Sequence, residues 1–391
     1  MKVLHLNGTV AGGVFNVALT LHEKLLENKI ESFIFLTEKK MIRNEVISKS
    51  TINIKRFKNF IAKILKKILE KNNQTSTLGI FKSVEINKII NEIKPDVIHL
   101  HWIGNELLSI NQLLTIKKPI VITLHDMWFF SPHQHYYSGS FKDKNYISNI
   151  FSNFLISQKK KLNSLDLKIV ATSEWIKKQV EKSKLYSKDK IYKIPLGLDF
   201  NKWYQENKEE SKKYFKFNLK KKTILFSAMG LNNNRKGLDI LNETLKLINF
   251  DYELVISSDV KPNFTLYKEY RFIKSMNDID KRRKLYSACD INVSPSRLEA
   301  FGLVALEASA CGTPSVIFEN TGLQEIIINK NNGYVAKYLD TKDFANGINW
   351  TLEANDKKKL DMKQNRNYLI KKFDINRIVE NYIKLYDKKT F

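Results

Sequence analysis

The stretch Ser294-Pro-Ser-Arg-Leu-Glu-Ala-Phe-Gly-Leu-Val-Ala-Leu-Glu307 sets two glutamates, Glu299 and Glu307, eight positions apart around a Phe-Gly turn. Just before it, Asp290-Ile-Asn-Val293 reads as a short buried strand. Just after the turn, Gly302 to Ala310 reads as an alanine-rich helix that stops at Gly312 and Pro314. The carboxylates therefore fall on either side of a loop-to-helix junction, where backbone N–H groups point outward and favour an anion. The order strand, acid, glycine, helix, acid offers amides to a phosphate and carboxylates to hydroxyl groups. A phosphorylated sugar has both.

Glu307 stands where a glutamate is costly. A helical Glu is ordinarily a solvated surface residue, but Leu303, Val304, Ala305, Leu306, Ala308, Ala310 and Cys311 make this helix apolar nearly all round, the mark of a buried helix. A charge in such a helix costs free energy unless it is partnered. We read it as kept for a ligand.

Working outward, strands alternate with helical stretches on both sides of this motif, the pattern of parallel sheets covered by helices. Upstream, the strands are expected at Lys2 to Leu6, Ser32 to Leu36, Asp96 to His101, Pro119 to Leu124, Lys168 to Thr172 and Ile191 to Ile194, with helices at Val14 to Glu27 and Val84 to Glu92. Ligands in such sheets bind outside the carboxyl ends of the strands, so the loops after Leu6, His101 and Leu124 should converge. The lysine- and glutamate-rich stretch 202–222 reads as an interdomain connection. The alternation then restarts with strands at Thr223 to Ala228, Tyr252 to Ser257, Asp290 to Val293 and Ser315 to Phe318, and helices at Gly237 to Ile248 and Asp280 to Ala288. The expected organisation is a first α/β domain over 1–200, a connection over 201–222, a second α/β domain over 223–365, and a helical segment over 366–391 that packs back on the first domain. A length of 391 residues favours two domains over one core.

Composition narrows the class. The apolar fraction of 43% and aromatic fraction of 11% are those of a folded protein. Cys289 and Cys311 form no C-x-x-C pair and sit in apolar segments, which points to a reducing cytoplasm and away from a zinc or disulfide framework. We expect no signal peptide, because Met1 to Asn7 reads as a strand running into a glycine loop. No apolar run approaches the roughly 18 residues that span a bilayer. The net charge of +25 favours polyanions, although an excess of lysine, asparagine and isoleucine throughout the chain also fits an AT-rich coding bias.

The charge has one notable cluster. Residues 55–71 set Phe57, Phe60, Ile61, Ile64, Leu65, Ile68 and Leu69 at helical spacing, with Lys55, Arg56, Lys58, Lys63, Lys66, Lys67 and Lys71 on the other face. Such a helix can lie on an anionic membrane, with Phe57, Phe60, Lys63, Ile64, Lys67 and Ile68 as contacts. It can equally pack its apolar face on a sheet. The two readings are compatible.

Three further loops carry chemistry. Ala228-Met-Gly-Leu-Asn-Asn-Asn-Arg-Lys-Gly-Leu-Asp239 places Arg235 and Lys236 between a strand and a helix, where paired cations can hold a diphosphate and stabilise its departure. Val10-Ala-Gly-Gly-Val14 follows the first strand, and its Gly12 and Gly13 let the backbone approach a ligand. The full G-x-G-x-x-G is missing, which argues against a dehydrogenase. Thr123-Leu-His-Asp-Met-Trp128 puts His125 at a strand's carboxyl end, with Asp126 orienting the loop. His99, His101, His133 and His135 lack a supporting Cys or acid cluster, and Asp278-Ile-Asp280 fits a helix N-cap better than a D-x-D metal motif. We expect no essential metal.

The E-x7-E pattern, with Pro-Ser before its first Glu and Phe-Gly after it, resembles the retaining glycosyltransferases of family 4, and the likeness runs from Gly12-Gly13 to the helix after Gly347. The resemblance implies the α/β GT-B fold, two Rossmann-like domains facing each other across a cleft. It implies a UDP- or GDP-linked sugar as donor, with no other cofactor, and a hydroxyl of a glycan or polyprenyl-linked glycan as acceptor in cell-surface polysaccharide synthesis. In that family Glu307 would hold the ribose and Glu299 the sugar. The amides of Ala300, Phe301, Gly302 and Leu303 would assist at the sugar, Arg235 and Lys236 would hold the diphosphate, and His125 with the Gly12-Gly13 loop would face the reacting centre. The family's usual Arg five residues before the Lys is replaced by Leu231. A cytoplasmic enzyme, peripheral on the inner membrane face, is expected. Other readings are a sugar-nucleotide epimerase, for which no acid/base set is visible, and a non-catalytic membrane- or polyanion-binding protein. No nucleic-acid module is seen.

Overall fold

The computed structural model describes residues 1–10, 12–36, 46–48, 76–80, 86–104, 107–137, 146–357 and 359–387. The chain forms two compact units, Met1–Pro195 with Ile378–Phe391, and Leu196–Arg377.

The first unit contains β1 (Lys2–Asn7), α1 (Gly13–Glu27), β2 (Glu31–Leu36), β3 (Val46–Ser48), α2 (Ile86–Ile93), β4 (Val97–Leu100), α3 (Ile110–Leu114), β5 (Ile120–Leu124), α4 (Tyr146–Lys160), β6 (Leu167–Ala171), α5 (Glu174–Ser183) and β7 (Ile191–Lys193). Its strands form one parallel sheet in the order β3-β2-β1-β4-β5-β6-β7. Leu4 stands beside Phe33 on one side and Ile98 on the other, and Ile98 in turn beside Ile120. Consecutive strand residues such as Val3 and Leu4, or Val97 and Ile98, point to opposite faces and are all buried. The sheet is therefore covered on both sides, and its strands read as continuous apolar runs rather than alternating ones.

The second unit follows with α6 (Lys208–Tyr214), β8 (Lys222–Ser227), α7 (Leu238–Leu245), β9 (Tyr252–Ser258), β10 (Tyr270–Lys274), α8 (Ile279–Ala288), β11 (Ile291–Ser294), α9 (Leu303–Ala310), β12 (Ser315–Phe318), β13 (Gly333–Ala336), α10 (Thr341–Asp356) and α11 (Met362–Phe373). Its sheet is parallel with the order β10-β9-β8-β11-β12-β13. Ile224, Phe226, Leu241, Leu254, Val293, Val316 and Phe344 pack its core. In each sheet the order reverses once, between β1 and β4 and between β8 and β11. Loops leaving such a pair of strands diverge, and the gap between them is where this architecture binds ligands.

The sequence expectations and the structure differ at the sheet edges and at the boundary. Stretch 202–222, expected as a connection, lies within the second unit, whose boundary falls after Pro195. Its charges are spent inside that unit: Lys208 and Lys212 pair with Asp290 at 2.6 and 3.0 Å, and Glu206 with Arg283 at 2.7 Å. Segment 366–391 divides. Residues through Arg377 stay with the second unit, and the last helix, α12 (Ile375–Tyr386), joins the first from Ile378 onward. There the Tyr382 and Tyr386 hydroxyls meet Thr123 at 2.8 Å and His99 at 2.6 Å, while Lys168 donates to the Leu385 carbonyl at 2.7 Å. The amphipathic segment 55–71 lies outside the described residues. Among the described residues no helix is long and apolar enough to cross a membrane.

Candidate functional site

At the reversal in the second sheet, the β8–α7 loop meets the β11–α9 loop. Asn233 caps the short turn Asn234–Lys236 by accepting from the Arg235 amide at 3.1 Å. The Arg297 amide donates to the Arg235 carbonyl at 2.7 Å, and its guanidinium grips both Asp239 carboxylate oxygens at 2.8 and 2.6 Å. Gly237 seals the pair of loops. It adopts φ +72°, and a Cβ there would stand 1.9 Å from the Pro295 carbonyl oxygen. Only glycine permits both the left-handed backbone and this approach.

This bracing brings the expected donor residues together. Lys236 Nζ lies 2.7 Å and Arg235 Nη1 3.4 Å from the same Glu299 oxygen, and all three side chains are largely buried. Burial alone would raise the Glu299 pKa, but Lys236 and then Arg235 outweigh it and hold the carboxyl below its usual range. Lys236 is moved down, by burial first and by the Arg235 charge second, against the opposing pull of Glu299. Two cations thus share one carboxylate, and the ammonium is left under-compensated. That charge balance suits an additional anion. Beside it, Ala300 and Phe301 are buried, and Gly302 begins α9 without a side-chain cap. Leu303 is the first helical residue, so the amides of this turn lie at the positive end of the helix dipole.

Glu307 is buried in α9 as its apolar surroundings implied, and it already has partners. The Arg282 guanidinium and the Tyr286 hydroxyl, the latter at 2.8 Å, both donate to it from α8. Arg282 also lies 5.0 Å over the Trp203 ring. Leu231, where the resemblance led one to expect an Arg, is buried in the apolar core. Asp278 caps α8, accepting from the Lys281 amide at 3.1 Å. Sequence reasoning missed Arg282 and Arg297. Arg282 was hidden in the basic run Lys281 to Lys284, whereas Arg297 stood two residues from Glu299 in the decisive stretch, with Asp239 just past Lys236-Gly237 as its complement.

In the first unit, Gly12 precedes α1 with φ +87°, and the Gly8 amide bonds the Trp102 carbonyl at 2.6 Å, joining the loops after β1 and β4. His125 follows β5 directly. Its loop is held by Asp126, which accepts from the Trp128 amide at 2.9 Å and pairs with His135 at 2.5 Å, and by Lys159, which donates to the Trp128 and Ser131 carbonyls. Burial lowers the His125 pKa to about 4 despite the opposing charge of Asp126, so the ring is neutral near pH 7. His99 and His101 gather not with His133 and His135 but with His5, each offering a ring nitrogen within 4.8 Å of the others.

Two Rossmann-like units in series, the second with paired cations and a buried glutamate helix at its switch point, define the GT-B class of glycosyltransferases. Residues 11–202 match the model described as Glycosyltransferase Family 4, and residues 207–368 the model described as Glycosyl transferases group 1. The chain belongs to this glycosyltransferase family. One curated relative is the N,N'-diacetylbacillosaminyl-diphospho-undecaprenol alpha-1,3-N-acetylgalactosaminyltransferase of Campylobacter jejuni, 30% identical over 204 residues, 49% of this chain and 53% of that protein. The chain spans just over half the length of the curated relatives it matches. Among solved structures, sucrose-phosphate synthase from Thermosynechococcus elongatus has a TM-score of 0.74 at 18% identity, covering 99% of this chain and 98% of that one. Anabaena HepE in complex with UDP-glucose has a TM-score of 0.70 at 16% identity, covering 98% and 99%. At these identities the likeness is one of fold.

Proposed function

We propose that this chain is a retaining glycosyltransferase that moves a sugar from a UDP- or GDP-linked donor to a hydroxyl of a glycan or polyprenyl-linked glycan during surface-polysaccharide synthesis. The observation that carries the reading is the sharing of one carboxylate, Glu299, by Lys236 and Arg235 beside the start of α9. A diphosphate completes that charge balance, and the same cations stabilise it as a leaving group. Glu299 then turns to the sugar hydroxyls and Glu307 to the ribose, while the amides of Ala300 to Leu303 assist. His125 and the Gly12-Gly13 turn serve the transferred sugar. The donor's anomeric carbon loses its bond to the diphosphate and gains one to the acceptor oxygen on the same face, and the acceptor's proton leaves with the phosphate. The named substrate of the Campylobacter relative, an undecaprenol diphosphate, supports a lipid-linked acceptor and work at the inner membrane face.

A thermal-shift screen against UDP, GDP and their sugars should raise the melting temperature with one nucleotide series. Incubation with that donor and polyprenyl-linked acceptors should release the nucleoside diphosphate, unaffected by EDTA, and give a product that keeps the donor's anomeric configuration by NMR. No release of UDP or GDP from any common nucleotide sugar would sink the transferase reading. Liposome binding that survives removal of the apolar residues of 57–69 would sink the membrane assignment.

A further inference from the structure

His125 is the half-buried outer end of a chain of imidazoles that runs into the first unit's core. Its Nε2 lies 3.3 Å from His101 Nδ1, and His101 Nε2 lies 3.0 Å from His5 Nδ1. Successive rings along the chain are tilted to one another by 30° and 31°. His5 and His101 are buried, and among the described residues His5 Nε2 has no hydrogen-bond partner. On the flanks, His99 is occupied at both nitrogens by Tyr386 and Thr123, and His22 bonds Ser32.

Proton counting leaves this chain two neutral states. A neutral imidazole carries one proton, and each nitrogen–nitrogen contact needs one proton between its partners. If His101 donates from Nδ1, it accepts from His5 at Nε2, and His125 must carry its own proton on Nδ1. If His101 donates from Nε2, every proton shifts inward and His5 Nε2–H points unsatisfied into the core. Orphaned buried N–H groups are rarer than under-satisfied acceptors, so the first state prevails. We propose that His5 and His101 act as positioning residues that fix His125 as the Nδ1–H tautomer, making it a neutral hydrogen-bond donor to an oxygen of the bound sugar nucleotide. The assignment of that oxygen rests on the transferase reading; the tautomer does not.

The histidine in free solution favours Nε2–H, so the relay imposes the opposite state and can be observed. Full-length protein labelled with ¹⁵N-histidine should show His125 protonated at Nδ1 in long-range ¹H–¹⁵N spectra. His101→Leu should return His125 toward Nε2–H and lower turnover roughly ten- to a hundredfold, by analogy with the loss of partners that orient metal-bound histidines. His101→Asn, whose amide nitrogen replaces Nδ1, should restore Nδ1–H and most of the turnover. Wild-type His125 protonated at Nε2, or a tautomer that His101→Leu leaves unchanged, overturns the proposal. So does a stoichiometric metal ion seated among His5, His99 and His101, because it would replace the His5–His101 proton. If His101→Leu fails to fold, the wild-type spectrum decides alone. Protein inactive on every nucleotide sugar but showing Nδ1–H would refute the transferase reading and leave the relay intact.

Discussion

Acidification from pH 7.5 to 5.5 should open the first unit before the second. His5, His99 and His101 are buried, at 0%, 0% and 2% exposure, and burial first, with neighbouring imidazoles second, holds each well below the ordinary histidine value. The unfolded chain takes up protons at these sites near pH 6.5 while the folded chain does not, so stability falls as pH drops below that value. One pH unit below it, each such histidine costs about 1–2 kcal/mol, and these three with His125, which burial lowers to about 4, together cost about 5 kcal/mol. Domains are commonly stable by about 5–15 kcal/mol, so the loss is a large share of the total. The second unit titrates differently. Its Glu299 and Asp290 are held below the usual carboxylate range, so the stability they contribute is present above about pH 4 and is lost only as pH falls through their depressed values. Urea midpoints at pH 7.5, 6.5 and 5.5, read by hydrogen–deuterium exchange on peptides from β1, β4 and β5 against β8 and β11, separate the units. A His5→Phe variant should remove about a quarter of the pH slope. Equal stability of the first unit at pH 7.5 and 5.5, or earlier opening of the second, would show that the buried histidines do not set its acid sensitivity.

Gly237→Ala should destabilise the second unit by about 2–5 kcal/mol, combining left-handed strain with a backbone clash. Gly230→Ala, at φ +64° with nothing within 4 Å of its Cβ, should cost only the strain, about 1–2 kcal/mol; equal losses in urea melts would contradict the 1.9 Å approach to Pro295. Glu299→Gln removes the carboxylate that Lys236 and Arg235 share. It should cost about 3 kcal/mol of stability and abolish transfer while keeping or strengthening binding of UDP by calorimetry, and weaker UDP binding would count against the shared-anion account. Arg282→Ala strands Glu307 in α9 with only Tyr286 and should also cost about 3 kcal/mol in urea, whereas a neutral result would make the pair dispensable.

The strands of both sheet centres were legible because burial on two faces writes them as unbroken apolar runs, as in Val97 to Leu100 and Ile120 to Leu124. The edges were not. β10, Tyr-Arg-Phe-Ile-Lys, has a single neighbour and is partly exposed, and β13 is four residues opening on a glycine. The connection was misplaced because Lys208, Lys212 and Glu206 look solvated in a sequence, yet pair with Asp290 and Arg283 some 80 positions away. The same limit governs the site. Arg235, Lys236 and Glu299 were readable because each sits at a strand-to-helix junction, a local signal. The partners of Glu307 were not, because they come from the exposed-looking face of another helix. His5 gave no signal, since a histidine in the first strand acquires meaning only when β4 is placed beside β1.

Both glutamates of the E-x7-E motif are satisfied by basic partners within the second unit, Glu299 by Lys236 and Arg235, Glu307 by Arg282 with Tyr286. In the proposed donor complex, a nucleotide sugar therefore does not enter a set of vacant carboxylates. It has to exchange partners, and each hydroxyl bond to a glutamate gains only its excess over the cation it displaces. The two exchanges are unequal. At Glu299 the displaced cations acquire the diphosphate, so the exchange conserves charge pairing and needs the phosphates to proceed. At Glu307 the displaced Arg282 acquires no second anion from a ribose and falls back on the Trp203 face. Discrimination should accordingly reside in the diphosphate, with the free sugar binding poorly because it cannot release Glu299, and a nucleoside without phosphates binding poorly because it pays for Arg282 alone.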